Sequence, residues 1–131
     1  MDLEVFFPGK KKVHVRYKGF VIETDQPERA GGDGTAPAPF DLFLASLAAC
    51  SGVYVLSFLQ QRGLSTEGAG LIVRPERDPE TKMVTRVVTE VKLPADFPDK
   101  YRDAILRAVD QCTVKRHIQN PPAFETVLTI G

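Results

Sequence analysis

The chain is expected to fold as an α+β domain in which a mainly antiparallel sheet packs on one long buried helix. Three observations predict this. Residues 40–61, FDLFLASLAACSGVYVLSFLQQ, carry a single charge, Asp41, in an otherwise charged sequence. Val13, Val15 and Tyr17 alternate with His14, Arg16 and Lys18, the period of a strand with one wet face. Residues 83–93 are rich in β-branched side chains, Val84, Val87, Val88 and Val91 among them.

The elements follow in order. An apolar run over residues 3–7 ends at Pro8-Gly9, a turn signal, and a second strand leads through Lys18-Gly19 into a third over residues 20–24. Residues 1–25 therefore read as a β-meander. Residues 25–39, DQPERAGGDGTAPAP, form a Gly- and Pro-rich loop long enough to carry function or to cross to another subunit. The central helix spans residues 39–62. Pro39 suits the first turn, where no N–H is needed, and Gly63 suits a left-handed stop. Being apolar on all faces, it is expected to be buried all round, and because 131 residues can hardly cover it, burial by a partner chain is favoured.

A hairpin follows over residues 69–93, with a charged turn at 75–82. Residues 98–119 read as helices. Phe97, Tyr101, Ile105, Ala108, Val109 and Cys112 recur at helical spacing, which puts Cys112 on an inward face. Asn120-Pro121-Pro122 stops this helical segment, and residues 124–130 read as a final strand.

Composition bounds the function. A chain of 131 residues is a single domain with a modest core of its own. Lys plus Arg equals Asp plus Glu at 17 each, so no net field draws in nucleic acid or a membrane surface. Residues 42–59 just reach the length of a membrane span, but three serines and a glycine within them favour a core helix. The N-terminus has acids first and no apolar run of signal length. A cytoplasmic protein is expected, where two cysteines, Cys50 and Cys112, stay as free or catalytic thiols.

Cys50 is the centre of interest. Ala48, Ala49, Ser51 and Gly52 leave room around its sulfur. A buried free cysteine is often just a small core residue. Burial alone raises a thiol pKa, so a reactive Cys50 needs a nearby cation. Cys50, Cys112, His14 and His117 make a zinc-like set by composition only, since no C-x-x-C or H-x-x-x-H spacing supports a metal site. His117 reads as a surface or capping histidine.

A β-meander, a Gly/Pro loop, a helix reading PFDLFLASLAACSG and a later VDQCTVKRHI together resemble the OsmC/Ohr family of small thiol proteins. The resemblance covers nearly the whole chain in element order and is nearest to the OsmC-like branch. It implies an intertwined homodimer with sites between subunits, in which Cys50 attacks a peroxide and Cys112 resolves the sulfenic acid as a disulfide. An external dithiol or lipoyl-type reductant then restores both thiols, without metal, haem or flavin. The implied function is reduction of organic hydroperoxides in oxidative stress defence.

Peroxide-reducing members carry a glutamate at the start of the central helix and an arginine in the N-terminal β-turn. The matching positions here read Phe40-Asp41 and Pro8-Gly9-Lys10-Lys11-Lys12. Asp41, Lys10, Arg16 and Arg29 are the candidates for those roles, although Asp41 also suits a helix start on dipole grounds alone, and lysine lacks the planar fork of arginine. These departures keep a second reading open, a non-catalytic dimer that binds a small apolar ligand at the subunit interface.

Overall fold

The computed structural model describes residues 1–131 and has an α+β fold with five antiparallel strands and three α-helices. The chain divides into two compact units, Met1–Ala45 and Ser46–Gly131.

In the first unit, β1 (Glu4–Gly9), β2 (Lys12–Tyr17) and β3 (Phe20–Thr24) form an antiparallel sheet in the order β1-β2-β3. Lys18 and Gly19 both have positive φ, 51° and 80°, and join the Tyr17–Phe20 pair. Two left-handed residues give a turn whose twist matches that of the strands it joins. The β1–β2 register slips between Phe6 and Gly9, where Pro8 cannot donate to the ladder.

The loop after β3 is ordered from within by Asp25, which is 1% exposed. Its Oδ1 accepts the Gln26 N–H at 2.7 Å, and its Oδ2 accepts from the Thr35 hydroxyl at 2.8 Å and the Thr35 and Asp33 N–H groups. The Thr35 hydroxyl and N–H lead the bonds that hold the Asp25 pKa down at about 2, against burial. A Cβ on Gly32 would lie 2.0 Å from the Gln26 carbonyl oxygen, so only glycine fits there.

Helix α1 (Pro39–Gln61) starts in the first unit and continues through the second. Asp41 Oδ2 accepts the Ala38 N–H at 3.0 Å, which satisfies a donor that the helix cannot. At the other end Gly63 has φ 65°. Leu64 N–H reaches the Leu59 carbonyl at 2.9 Å and Gly63 N–H that of Gln60 at 3.1 Å, a Schellman closure.

In the second unit, β4 (Gly70–Arg77) and β5 (Val84–Lys92) form a hairpin. Asp78 Oδ1 accepts the N–H groups of Glu80 and Thr81 and so shapes its turn. A short 3₁₀ turn (Asp99–Tyr101) leads into α2 (Arg102–Val109), and α3 (Thr113–Gln119) follows. The core is Val55, Phe58 and Leu59 of α1 with Phe97, Ile105 and Val109, edged by Leu71 and Val91 of the hairpin.

Three expectations need correction. Helix α1 is not buried all round within the chain. Leu47, Ser51, Val55, Phe58 and Leu59 are buried, whereas Val53 and Leu56 are 56% and 42% exposed. A chain of this size has too few other elements to cover every face of a 23-residue helix. Residues 124–130 form no strand, because the chain supplies them no ladder partner, and Phe124, Val127, Leu128 and Ile130 are exposed. Cys112 does face inward at 0% exposure, but it is not on the face of a continuing helix. Helix α2 ends at Val109, and Cys112 stands at the start of α3.

Candidate active site around two thiols

The site lies within Ser46–Gly131. Cys50 and Tyr54 are one turn apart on α1 and line one wall with Val53, Ser57, Phe58 and Gln61 of that helix and Arg62 just after it. Ala104, Arg107, Ala108 and Gln111, from α2 and the turn after it, form the opposite wall. Together with Thr113 they line an open groove of about 800 Å³.

The turn that ends α2 aims the start of α3 at Cys50. The Cys112 N–H bonds the Val109 carbonyl at 3.2 Å, and α3 begins at the next residue, Thr113. The first-turn N–H groups of a helix have no partner within it. Here those of Val114 and Thr113, with the Cys112 thiol and the Thr113 hydroxyl, are the groups that lower the Cys50 pKa.

Burial is the largest single influence on Cys50 and pushes its pKa up. The Val114 N–H, the Cys112 thiol, and the N–H and hydroxyl of Thr113 together outweigh it, so the pKa lies below the ordinary thiol value. Where a neighbouring cation was expected, the groups that lower the Cys50 pKa are hydrogen-bond donors. Both cysteines are free thiols, and the Cys112 thiol is among the groups that lower the Cys50 pKa.

The cations on the groove are Arg62 and Arg107. Arg62 is stacked 3.5 Å from the Phe58 ring centroid and donates to the Phe58 carbonyl at 3.3 Å, so it serves the helix end. Arg107 is exposed on α2.

The other candidates from the sequence lie in Met1–Ala45, each with a local partner or place. Arg16 stacks 3.8 Å from the Phe6 ring centroid. Lys10 and Lys12 both bond Asp33, at 3.1 and 2.9 Å, which ties the lysine turn to the Gly-rich loop. Arg29 is exposed in a 3₁₀ turn, Glu28–Ala30, and Asp41 caps α1. His14 packs edge-on to Phe6. His117 bonds the Thr113 carbonyl at 2.8 Å, so its Nδ1 carries the proton and the ring serves α3.

Sequence reasoning missed Tyr54, Arg107 and Thr113. Tyr54 could have been found, since it stands one turn after Cys50 on the same helix. Thr113 and Arg107 reach the site only through the packing of α2 and α3 on α1.

A family model described as OsmC-like protein matches residues 32–127. No curated protein matches the chain in sequence. Among solved structures, the chain is similar to an osmotic stress induced and detoxification response protein from Psychrobacter arcticus, with TM-score 0.71 and 20% identity over 87% of this chain and 85% of that one. It is also similar to an organic hydroperoxide resistance protein OsmC from Legionella pneumophila, with TM-score 0.57 and 16% identity over 91% and 90% of the two chains. A third, from Vibrio cholerae, is an organic hydroperoxide resistance protein with captopril bound in one of its active sites. It gives TM-score 0.56 and 17% identity over 92% and 86% of the chains.

Proposed function

The chain belongs to the OsmC-like protein family, and from that premise we propose that it is a thiol-dependent peroxidase that reduces organic hydroperoxides in oxidative stress defence. The observation that carries this reading is the Cys50–Cys112 pair: two free thiols, the more accessible of them with its pKa lowered by donors that include the other. Two of its structural relatives are organic hydroperoxide resistance proteins, which supports the substrate class.

The Cys50 thiolate attacks the outer peroxide oxygen, an S–O bond forms as the O–O bond breaks, and the alkoxide takes a proton to leave as an alcohol. Cys50 is then a sulfenic acid. The Cys112 sulfur attacks it, a disulfide forms and water leaves. An external dithiol, of lipoyl or similar type, exchanges with the disulfide and returns both thiols. Sulfur carries the two electrons throughout, so the scheme calls for no metal, haem or flavin. The groove offers Val53, Phe58, Ala104 and Ala108 to an apolar substrate body, and Arg107 places positive charge on its wall.

The protein acts in this reading as a cytoplasmic homodimer. The exposed Val53 and Leu56 of α1, and the exposed apolar side chains of residues 124–130, are the surfaces a second copy would cover.

The test is peroxide consumption by the reduced protein under excess dithiol, with cumene hydroperoxide and hydrogen peroxide compared. Turnover that is abolished in Cys50→Ser, with a Cys50–Cys112 disulfide found by mass spectrometry, supports the reading. Consumption no faster than background, with both thiols still reduced, rejects it and leaves an interface ligand-binding protein.

A further inference from the structure

We propose that Tyr54 and Thr113 form a directed hydroxyl chain that holds the Cys50 thiolate, with Tyr54 as the outer positioning residue. The Tyr54 Oη and Thr113 Oγ1 atoms are 3.2 Å apart, and both side chains line the same groove as Cys50. The Thr113 hydroxyl is among the groups that lower the Cys50 pKa, and we place it as the inner donor to the Cys50 sulfur.

Proton bookkeeping sets the direction. A thiolate can only accept, and a threonine hydroxyl has one proton to give. Once Thr113 donates that proton to Cys50, its oxygen is left to accept, and Tyr54 must be the donor. The chain therefore runs Tyr54 O–H to Thr113 O–H to Cys50 S⁻. Each bond polarises the next, and the arrangement is complete only when Cys50 is ionised. A protonated Cys50 can itself donate to Thr113 and loses that selective support. No residue of the chain changes covalent state, and Tyr54 acts through Thr113 alone.

The other charged or titratable groups around Cys50 in this unit are Cys112 at the start of α3, Arg62 just after α1 and Arg107 on α2. None of these is altered by substituting Tyr54 or Thr113, so a change in the Cys50 profile reports the hydroxyls.

The role rests on Cys50 as the reactive thiol but not on peroxide chemistry, so the test uses iodoacetamide. The rate of Cys50 alkylation is followed against pH in the full-length reduced protein, with the site assigned by mass spectrometry. The O···O separation is at the long end for hydroxyls, so Tyr54→Phe is expected to lower the rate below the thiol pKa by about threefold. Thr113→Val, which removes the inner donor, is expected to lower it by about tenfold, and Thr113→Ser to restore it. Far-UV circular dichroism checks that each variant is folded. A Tyr54→Phe profile that superimposes on the parent, or a Thr113→Ser protein as slow as Thr113→Val, overturns the proposal. Shifted profiles in a protein that consumes no peroxide would uphold the chain and reject the peroxidase reading.

Discussion

Substituting Cys112 separates two jobs that the proposed function gives it. The side chain is fully buried and is among the groups that lower the Cys50 pKa. Cys112→Ser keeps a donor of nearly the same shape at that point. The Cys50 thiolate should persist, and the first oxidation should run within a few-fold of the parent rate. Cys112→Ala removes the donor as well. One net hydrogen bond contributes about 0.5–1.5 kcal/mol, which raises the Cys50 pKa by roughly half a unit to one unit relative to Cys112→Ser. Neither variant can resolve the sulfenic acid within the chain. The assay is a titration with one equivalent of cumene hydroperoxide, read by mass spectrometry of the intact protein. The parent should become two hydrogens lighter, as a disulfide. Cys112→Ser should become one oxygen heavier, and with further peroxide two and then three oxygens heavier, as Cys50 climbs to irreversible acids. A Cys112→Ser protein that survives repeated excess peroxide as well as the parent would refute Cys112 as the resolving thiol.

Three further outcomes follow from the packing. The Asp25 pKa is held at about 2 against an ordinary 3.8, so its bonds stabilise the fold fully above pH 3.8. That contribution fades as the pH falls toward 2, and Asp25→Asn should lower the thermal midpoint at neutral pH and flatten its fall in acid. Ile105 is 1% exposed in the core, so Ile105→Ala should cost about 2–5 kcal/mol in urea unfolding; a loss below about 1 kcal/mol would mean the site collapses freely. Leu56→Glu puts a charge on the exposed apolar face of α1, and sedimentation should show a homodimer turned into monomer. An unchanged mass would clear that face of an interface role.

The sequence by itself determined the local elements. Pro39 and Gly63 bracket α1 because each suits its end for backbone reasons that need no tertiary partner. Lys18-Gly19 closes β2 on β3 for the same kind of reason. Cys50 was legible as the centre of the site because small neighbours and an uncharged helix surround it, and Cys112 because helical spacing placed it inward.

The tertiary structure decided what touches the sulfur. Thr113 and Val114 are distant from Cys50 in the chain, and only the end of α2 at Val109 turns the start of α3 toward it. Where a cation was expected, hydrogen-bond donors are what lower the Cys50 pKa. That exchange is invisible to composition, since every residue but proline has a backbone N–H and only its direction matters. The tertiary structure likewise decided that residues 124–130 are no strand within the chain. β-Branched residues such as Thr126, Val127, Thr129 and Ile130 state a preference for the extended form, but a strand exists only where another edge accepts its hydrogen bonds.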